Sequence, residues 1–251
     1  MLIDFHTHVF SPRVKEDRGR YVDSDPCFAL LYANKQAKIA TAEDLIESMD
    51  KNEVDVSAIL NLGWSTHDLC VETNNYILEA IARYPKRLVG FCAVQPSAGK
   101  AALDELERCA RGGIKGIGEL RPDMQGFDVA DMELMRPVVE TLKKHNLIFL
   151  THTSEPLGHM YPGKGKVTPD TLYPLFTNFP ELPVVCAHWG GGLPFYALMP
   201  EVKQAMKNVY FDTAASPYLY SAQIYSQATQ LVGAEKILFG SDYPLLSPAR
   251  L

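Results

Sequence analysis

Eight short apolar runs rich in β-branched residues punctuate the chain, at Leu2–Phe5, Val56–Leu60, Leu88–Val94, Ile114–Glu119, Leu147–Thr151, Val184–Ala187, Val209–Asp212 and Ile237–Phe239. The segments between them carry apolar residues at helical period, which is the pattern of repeated βα units around a parallel sheet. Thr41, with Asp44 three residues on, forms a capping-box signal, and Leu45, Ile46 and Met49 then make one apolar stripe. Leu69, Tyr76, Ile77, Ala80, Ile81 and Tyr84 trace another helix, which Pro85 ends. Eight strands alternating with helices, and no G-x-G-x-x-G after the first, predict an α/β fold closed as a (β/α)8 TIM barrel rather than a doubly wound open sheet.

The 251 residues match the length of one such barrel, so residues 1–251 are expected to form a single barrel domain. Two features depart from the repeat. Residues 9–40 are too many for a simple βα connection and are rich in charge and turn residues, which predicts a long loop at the barrel mouth. The eighth run lies close to Leu251 with no helical period after it, so that strand is expected to be covered by further chain or by a second subunit of a homo-oligomer.

Composition narrows the partners. Hydrophobic residues at 47% and charged residues at 22% suit a globular protein with a sizeable core. The net charge of -6, with no Lys/Arg stripe, argues against nucleic acid as a partner and leaves a small-molecule substrate. Neither a leader pattern nor an 18-residue apolar run occurs, so no membrane partner and a cytoplasmic location are expected. Cys27, Cys70, Cys92, Cys109 and Cys186 form no C-x-x-C pair and read as buried apolar residues.

Active sites of such barrels lie at the C-terminal ends of the strands. His6 and His8 end the first strand, Glu119 the fourth, His152 the fifth and His188 the sixth, and Asp242 follows the eighth. Residues i and i+2 of a strand share a face, so His6 and His8 can present two imidazoles to one ion. Imidazole and carboxylate donors with an open position suit a divalent metal, zinc above all, that holds water and substrate. Around this centre, the loop after the fifth strand carries Ser154, Glu155, His159, Tyr161, Lys164 and Lys166 between the glycines 158, 163 and 165, as a loop that touches substrate would. Lys164 and Arg121 are candidate anion contacts, and Trp189 either walls the pocket or packs beneath it. Gly190, Gly191 and Gly192 either cradle an anion or make a tight exit turn, and His67 and His145, away from strand ends, read as structural.

The segments Asp4-Phe5-His6-Thr7-His8, Thr151-His152-Thr153, Cys186-Ala187-His188-Trp189-Gly190-Gly191 and Phe239-Gly240-Ser241-Asp242-Tyr243-Pro244 give the chain its resemblance to the amidohydrolase superfamily. It is most similar to the amidohydrolase-related branch that holds aminocarboxymuconate-semialdehyde-decarboxylase-like enzymes. The resemblance implies His6, His8, His152 and Asp242 as metal ligands, Asp242 as the group that moves the proton, and His188 as a polariser of substrate or a ligand of a second ion. Glu119 either bridges two ions or hydrogen-bonds a ligand histidine; the branch favours one ion. The first expectation is hydrolysis of a C–N or C–O bond in a small carboxylated molecule by metal-activated water. Its alternative is non-oxidative decarboxylation on the same ligands; phosphodiester hydrolysis and a non-catalytic metal-binding barrel rank below both.

Overall fold

A computed structural model describes residues 1–250. Eight parallel strands follow one another around the sheet in sequence order: β1 (Ile3–His8), β2 (Val56–Leu60), β3 (Leu88–Cys92), β4 (Gly116–Leu120), β5 (Ile148–Thr151), β6 (Val184–Cys186), β7 (Val209–Asp212) and β8 (Ile237–Leu238). The ring closes between β8 and β1 through backbone bonds from Phe5 N to Phe239 O (2.7 Å), Asp242 N to His6 O (2.8 Å) and His8 N to Tyr243 O (2.7 Å). The architecture is the expected (β/α)8 TIM barrel.

Two apolar layers hold it. Phe5, Ala58, Leu60, Phe91, Leu150 and Val185 fill the barrel interior, while Ile59, Ile117, Phe149 and Val184 face the helices. Interior crowding explains the glycines of β4: a Cβ on Gly116 would lie 2.3 Å from the Phe91 ring, and one on Gly118 would lie 2.5 Å from Leu150 O. Glu119 is thereby carried to the strand's end by a backbone that has little side chain beneath it. The five cysteines are free and buried, as their spacing predicts. Among the described residues no helix is long and apolar enough to cross a membrane.

The segment expected as a mouth loop is largely helical: α1 (Pro12–Glu16), α2 (Arg18–Ser24) and α3 (Pro26–Tyr32) precede α4 (Ala42–Lys51). Its turn-forming residues are caps. Ser11 and Asp25 accept bonds from the first turns of α1 and α3, each of which has proline in its first turn. Phe10, Tyr21, Phe28, Tyr32 and Trp64 bury a separate aromatic cluster at the mouth, with Phe28 stacked on Trp64 at 5.4 Å. After β8 the described chain carries a parallel bridge from Tyr243 to Thr7 and the 3-10 turn Pro248–Arg250.

Asp25 pins this cap to the barrel. It is 1% exposed, and besides Phe28 N (2.8 Å) it accepts bonds from Ser65 N (2.8 Å) and Ser65 Oγ (2.7 Å) in the loop after β2. Asp25→Ala is expected to cost about 2–3 kcal/mol, the scale of a lost cap plus unsatisfied buried donors. Hydrogen exchange should quicken in residues 12–32 and stay slow in β2–β7; unchanged exchange in 12–32 would show that the aromatic packing alone secures the cap.

Candidate metal centre

Strand ends bring His6, His8, Glu119, His152 and His188 together, each less than 9% exposed, with Asp242 beside them. His6 Nε2 and His8 Nε2 face each other at 3.1 Å. Glu119 Oε2 lies 3.8 and 3.5 Å from those two nitrogens, and Asp242 Oδ1 lies 3.6 Å from both. Ligand bonds of 2.0–2.2 Å at tetrahedral angles put neighbouring donors about 3.4 Å apart, so these distances fit the edges of one coordination shell. The donors suit a divalent ion, and no cysteine belongs to the candidate ligand groups among the described residues.

The orientation of the rings supports the same reading. Asp212, at the end of β7, takes a bond from His6 Nδ1 at 2.8 Å, which leaves the His6 Nε2 lone pair facing the centre. His188 Nδ1 meets Ala214 O at 3.2 Å, which turns its Nε2 toward Glu119 Oε1 at 3.3 Å. His152 is held elsewhere: its Nδ1 lies 3.0 Å from Glu119 Oε1 and its Nε2 3.0 Å from Ser154 Oγ. Its candidate ligand group is therefore the one with Glu119 and His188, while the resemblance implies it as a ligand beside His6 and His8. Glu119 touches both groups, one oxygen to each.

The electrostatics ask for positive charge. Burial opposes a charged His6, but Asp212, Glu119 and Asp242 outweigh it and push its pKa up to about 10. Burial is likewise overcome at His188, where Glu119 and Asp242 raise the pKa to about 9. Glu119 is buried, which disfavours its charge, yet the surrounding imidazoles hold its pKa well below the usual carboxylate range. His152 moves the other way, down to about 4, because burial and the nearby Arg121 guanidinium both disfavour a second cation.

Above this floor opens a cavity of about 420 Å³, walled by Leu31, Tyr32, Tyr218, Leu219 and Leu245. Arg121 and His159 also reach it, as expected. Three other candidates do not line it. Trp189 is fully buried, donates from its indole N–H to Ser216 Oγ at 2.6 Å and packs on Tyr225. Glu155 accepts from the Tyr161 hydroxyl at 2.8 Å, and Lys164 Nζ caps Leu157 O and His159 O within its own loop. The three glycines after His188 form the exit turn: a Cβ on Gly191 would lie 2.3 Å from Ser154 O. His67 opens α5 (His67–Arg83), and His145 pairs with Glu107 at 2.8 Å, both away from the site. Sequence reasoning missed Asp212 and Tyr32. The first was visible as a carboxylate ending a strand run; the second lay in a segment read as loop.

The family model for amidohydrolases matches residues 3–251. A γ-resorcylate decarboxylase from Polaromonas sp. is 24% identical over an alignment of 216 residues that covers 68% of this chain and 64% of that protein, so the match spans just under two thirds of the relative. A 2-amino-3-carboxymuconate-6-semialdehyde decarboxylase from Dictyostelium discoideum is 21% identical over an alignment of 293 residues that covers 96% of this chain and 81% of the other. Among solved structures, 5-carboxyvanillate decarboxylase from Novosphingobium aromaticivorans, complexed with manganese and 4-hydroxy-3-methoxy-5-nitrobenzoic acid, has a TM-score of 0.79 at 18% identity, over 98% of this chain and 87% of that one. That likeness is one of fold, whereas the family match runs from the strand that carries His6 and His8 through the segment that carries Asp242: the chain belongs to the amidohydrolase family.

Proposed function

We propose that the protein is a metal-dependent, non-oxidative decarboxylase of small aromatic carboxylates. The observation that carries this reading is Arg121. Its guanidinium is 1% exposed, its one carboxylate contact is Asp123 Oδ2 at 3.5 Å, and its Nε has no partner. A buried cation short of counter-charge, at the wall of an otherwise largely apolar cavity, is completed by an anionic substrate group. The cavity volume suits a molecule of one or two rings. Hydrolysis, the first expectation, would use the same donors; the decarboxylase relatives favour the alternative.

His6, His8, Glu119 and Asp242 would hold the ion, which supplies the positive charge that polarises substrate oxygens. Zinc fits the imidazole and carboxylate donors, and so does manganese. Arg121 orients the substrate, and Asp242 hands a proton to the ring carbon as its bond to the carboxylate breaks. The bonding pair stays on carbon, CO₂ leaves, and Asp242 regains a proton from water, so no redox partner enters. The leaving group passes from charged to neutral, and apolar walls at Leu31, Leu219 and Leu245 favour that direction.

The metal-loaded protein should release CO₂ from members of a panel of monocyclic aromatic acids, and Arg121→Gln should lower kcat/KM about 10–100-fold, as for a lost charged hydrogen bond. Cleavage of matched amides or lactones without CO₂ release would replace decarboxylation with hydrolysis. His6→Ala should lose both ion and turnover while unfolding cooperatively, and stoichiometric metal in that variant would remove His6 from the ligand set. Metal analysis giving two ions per wild-type chain would make Glu119 the bridge between them. Asp242→Asn keeps an oxygen donor but no acidic proton, so turnover should fall about 10²–10⁴-fold with most of the ion retained; equal loss of both would reduce Asp242 to a ligand.

A further inference from the structure

Tyr32 ends α3 and lines the cavity together with His8 and Asp242. Its ring packs on Phe10 at 5.2 Å and on Phe28 at 4.8 Å, and the residue is 8% exposed. Phenylalanine would fill the same aromatic niche, so the hydroxyl needs an explanation of its own. Other polar groups of the cluster are paired inside the protein: the Tyr21 hydroxyl donates to Glu72, and the Trp64 indole N–H donates to Asn61 Oδ1 at 2.9 Å. The Tyr32 hydroxyl has no hydrogen-bond partner among the described residues, and it is not among the sealed polar atoms that lack one. A hydroxyl placed this way takes its partner from whatever occupies the cavity.

We propose that Tyr32 is a substrate-binding residue whose hydroxyl donates a hydrogen bond to the carboxylate that the reaction removes. The assignment rests on the decarboxylase reading and adds a contact from the mouth helices, which none of the strand-end residues supplies. A phenol is a donor at neutral pH, and burial, followed by the nearby Asp242 and Glu119 carboxylates, raises its pKa further. Proximity to Asp242 puts the acceptor at the reacting end of the substrate. Arg121 approaches from after β4 and Tyr32 from after β1, so the two donors hold the acid from different sectors of the mouth. As CO₂ forms, the carboxylate loses its charge and the bond weakens. The contact therefore acts mainly on binding, and removing it should raise KM without lowering kcat.

The test compares the metal-loaded wild type with metal-loaded Tyr32→Phe, each titrated calorimetrically with benzoate. The variant should bind benzoate about 10–100-fold more weakly, the scale of a lost hydrogen bond to a charged group, with wild-type metal content and thermal midpoint. Equal affinity in the two proteins overturns the role of Tyr32 alone. A wild type that binds no benzoate overturns the carboxylate reading and this contact with it. With any acid that is turned over, a fall in kcat at unchanged KM would move Tyr32 into proton transfer and overturn the binding role.

Discussion

Asp212 is the group on which the centre turns. One of its oxygens takes the His6 Nδ1 bond at 2.8 Å, and the other takes the backbone N–H groups of His188 (2.8 Å) and Ala214 (3.1 Å). A single side chain at the end of β7 thus orients the β1 histidine, shapes the turn after β6 and anchors its own loop. Both Asp212 and His6 are fully buried. Burial alone would raise the Asp212 pKa, but His6 and His188 lower it, so the carboxylate remains a fixed acceptor that defines which ring nitrogen of His6 is free.

That choice of tautomer controls the charge balance of the whole floor. Glu119, Asp212 and Asp242 bring negative charge to a buried volume, and something positive has to answer it. Protons on His6 and His188 do so in the protein alone. A divalent ion held by the proposed donors His6, His8, Glu119 and Asp242 would supply the same charge, and its binding would release protons from the imidazoles that coordinate it. The unusual pKa values and the metal-sized spacing are two expressions of one arrangement of donors.

The barrel was legible because its information is local. Every strand run in the sequence lies on a strand of the structure, and β2 and β7 match in full. The candidate donors at the strand ends were legible for the same reason: a polar residue ending an apolar run has to emerge at the mouth. Residues whose placement depends on loops were not. Glu155 and Lys164 fold back on their own loop, and Trp189 turns inward to Ser216. The helices of residues 12–32 were hidden because the prolines and aspartates that start them are also the residues of turns.

Strain links the floor to these connections. His188, Trp189 and Asp242 all adopt the left-handed region, with φ of 55°, 59° and 64°, a conformation that costs non-glycine residues on the order of 1–3 kcal/mol each. Each is held by bonds from a different element. Asp242 N reaches His6 O at 2.8 Å, and the preceding Ser241 N reaches Asp4 Oδ1 at 2.9 Å; His188 N reaches Asp212, and the Trp189 indole reaches Ser216. Asp4 Oδ1 also accepts from His6 N at 3.2 Å, so the strand that offers His6 fixes the loop that offers Asp242. A helical or extended backbone at residue 242 would send its carboxylate away from the His6–His8 pair. The left-handed turn keeps Asp242 Oδ1 within 3.6 Å of both rings and open to the cavity, which suits the proposed role of a group that touches both an ion and the substrate.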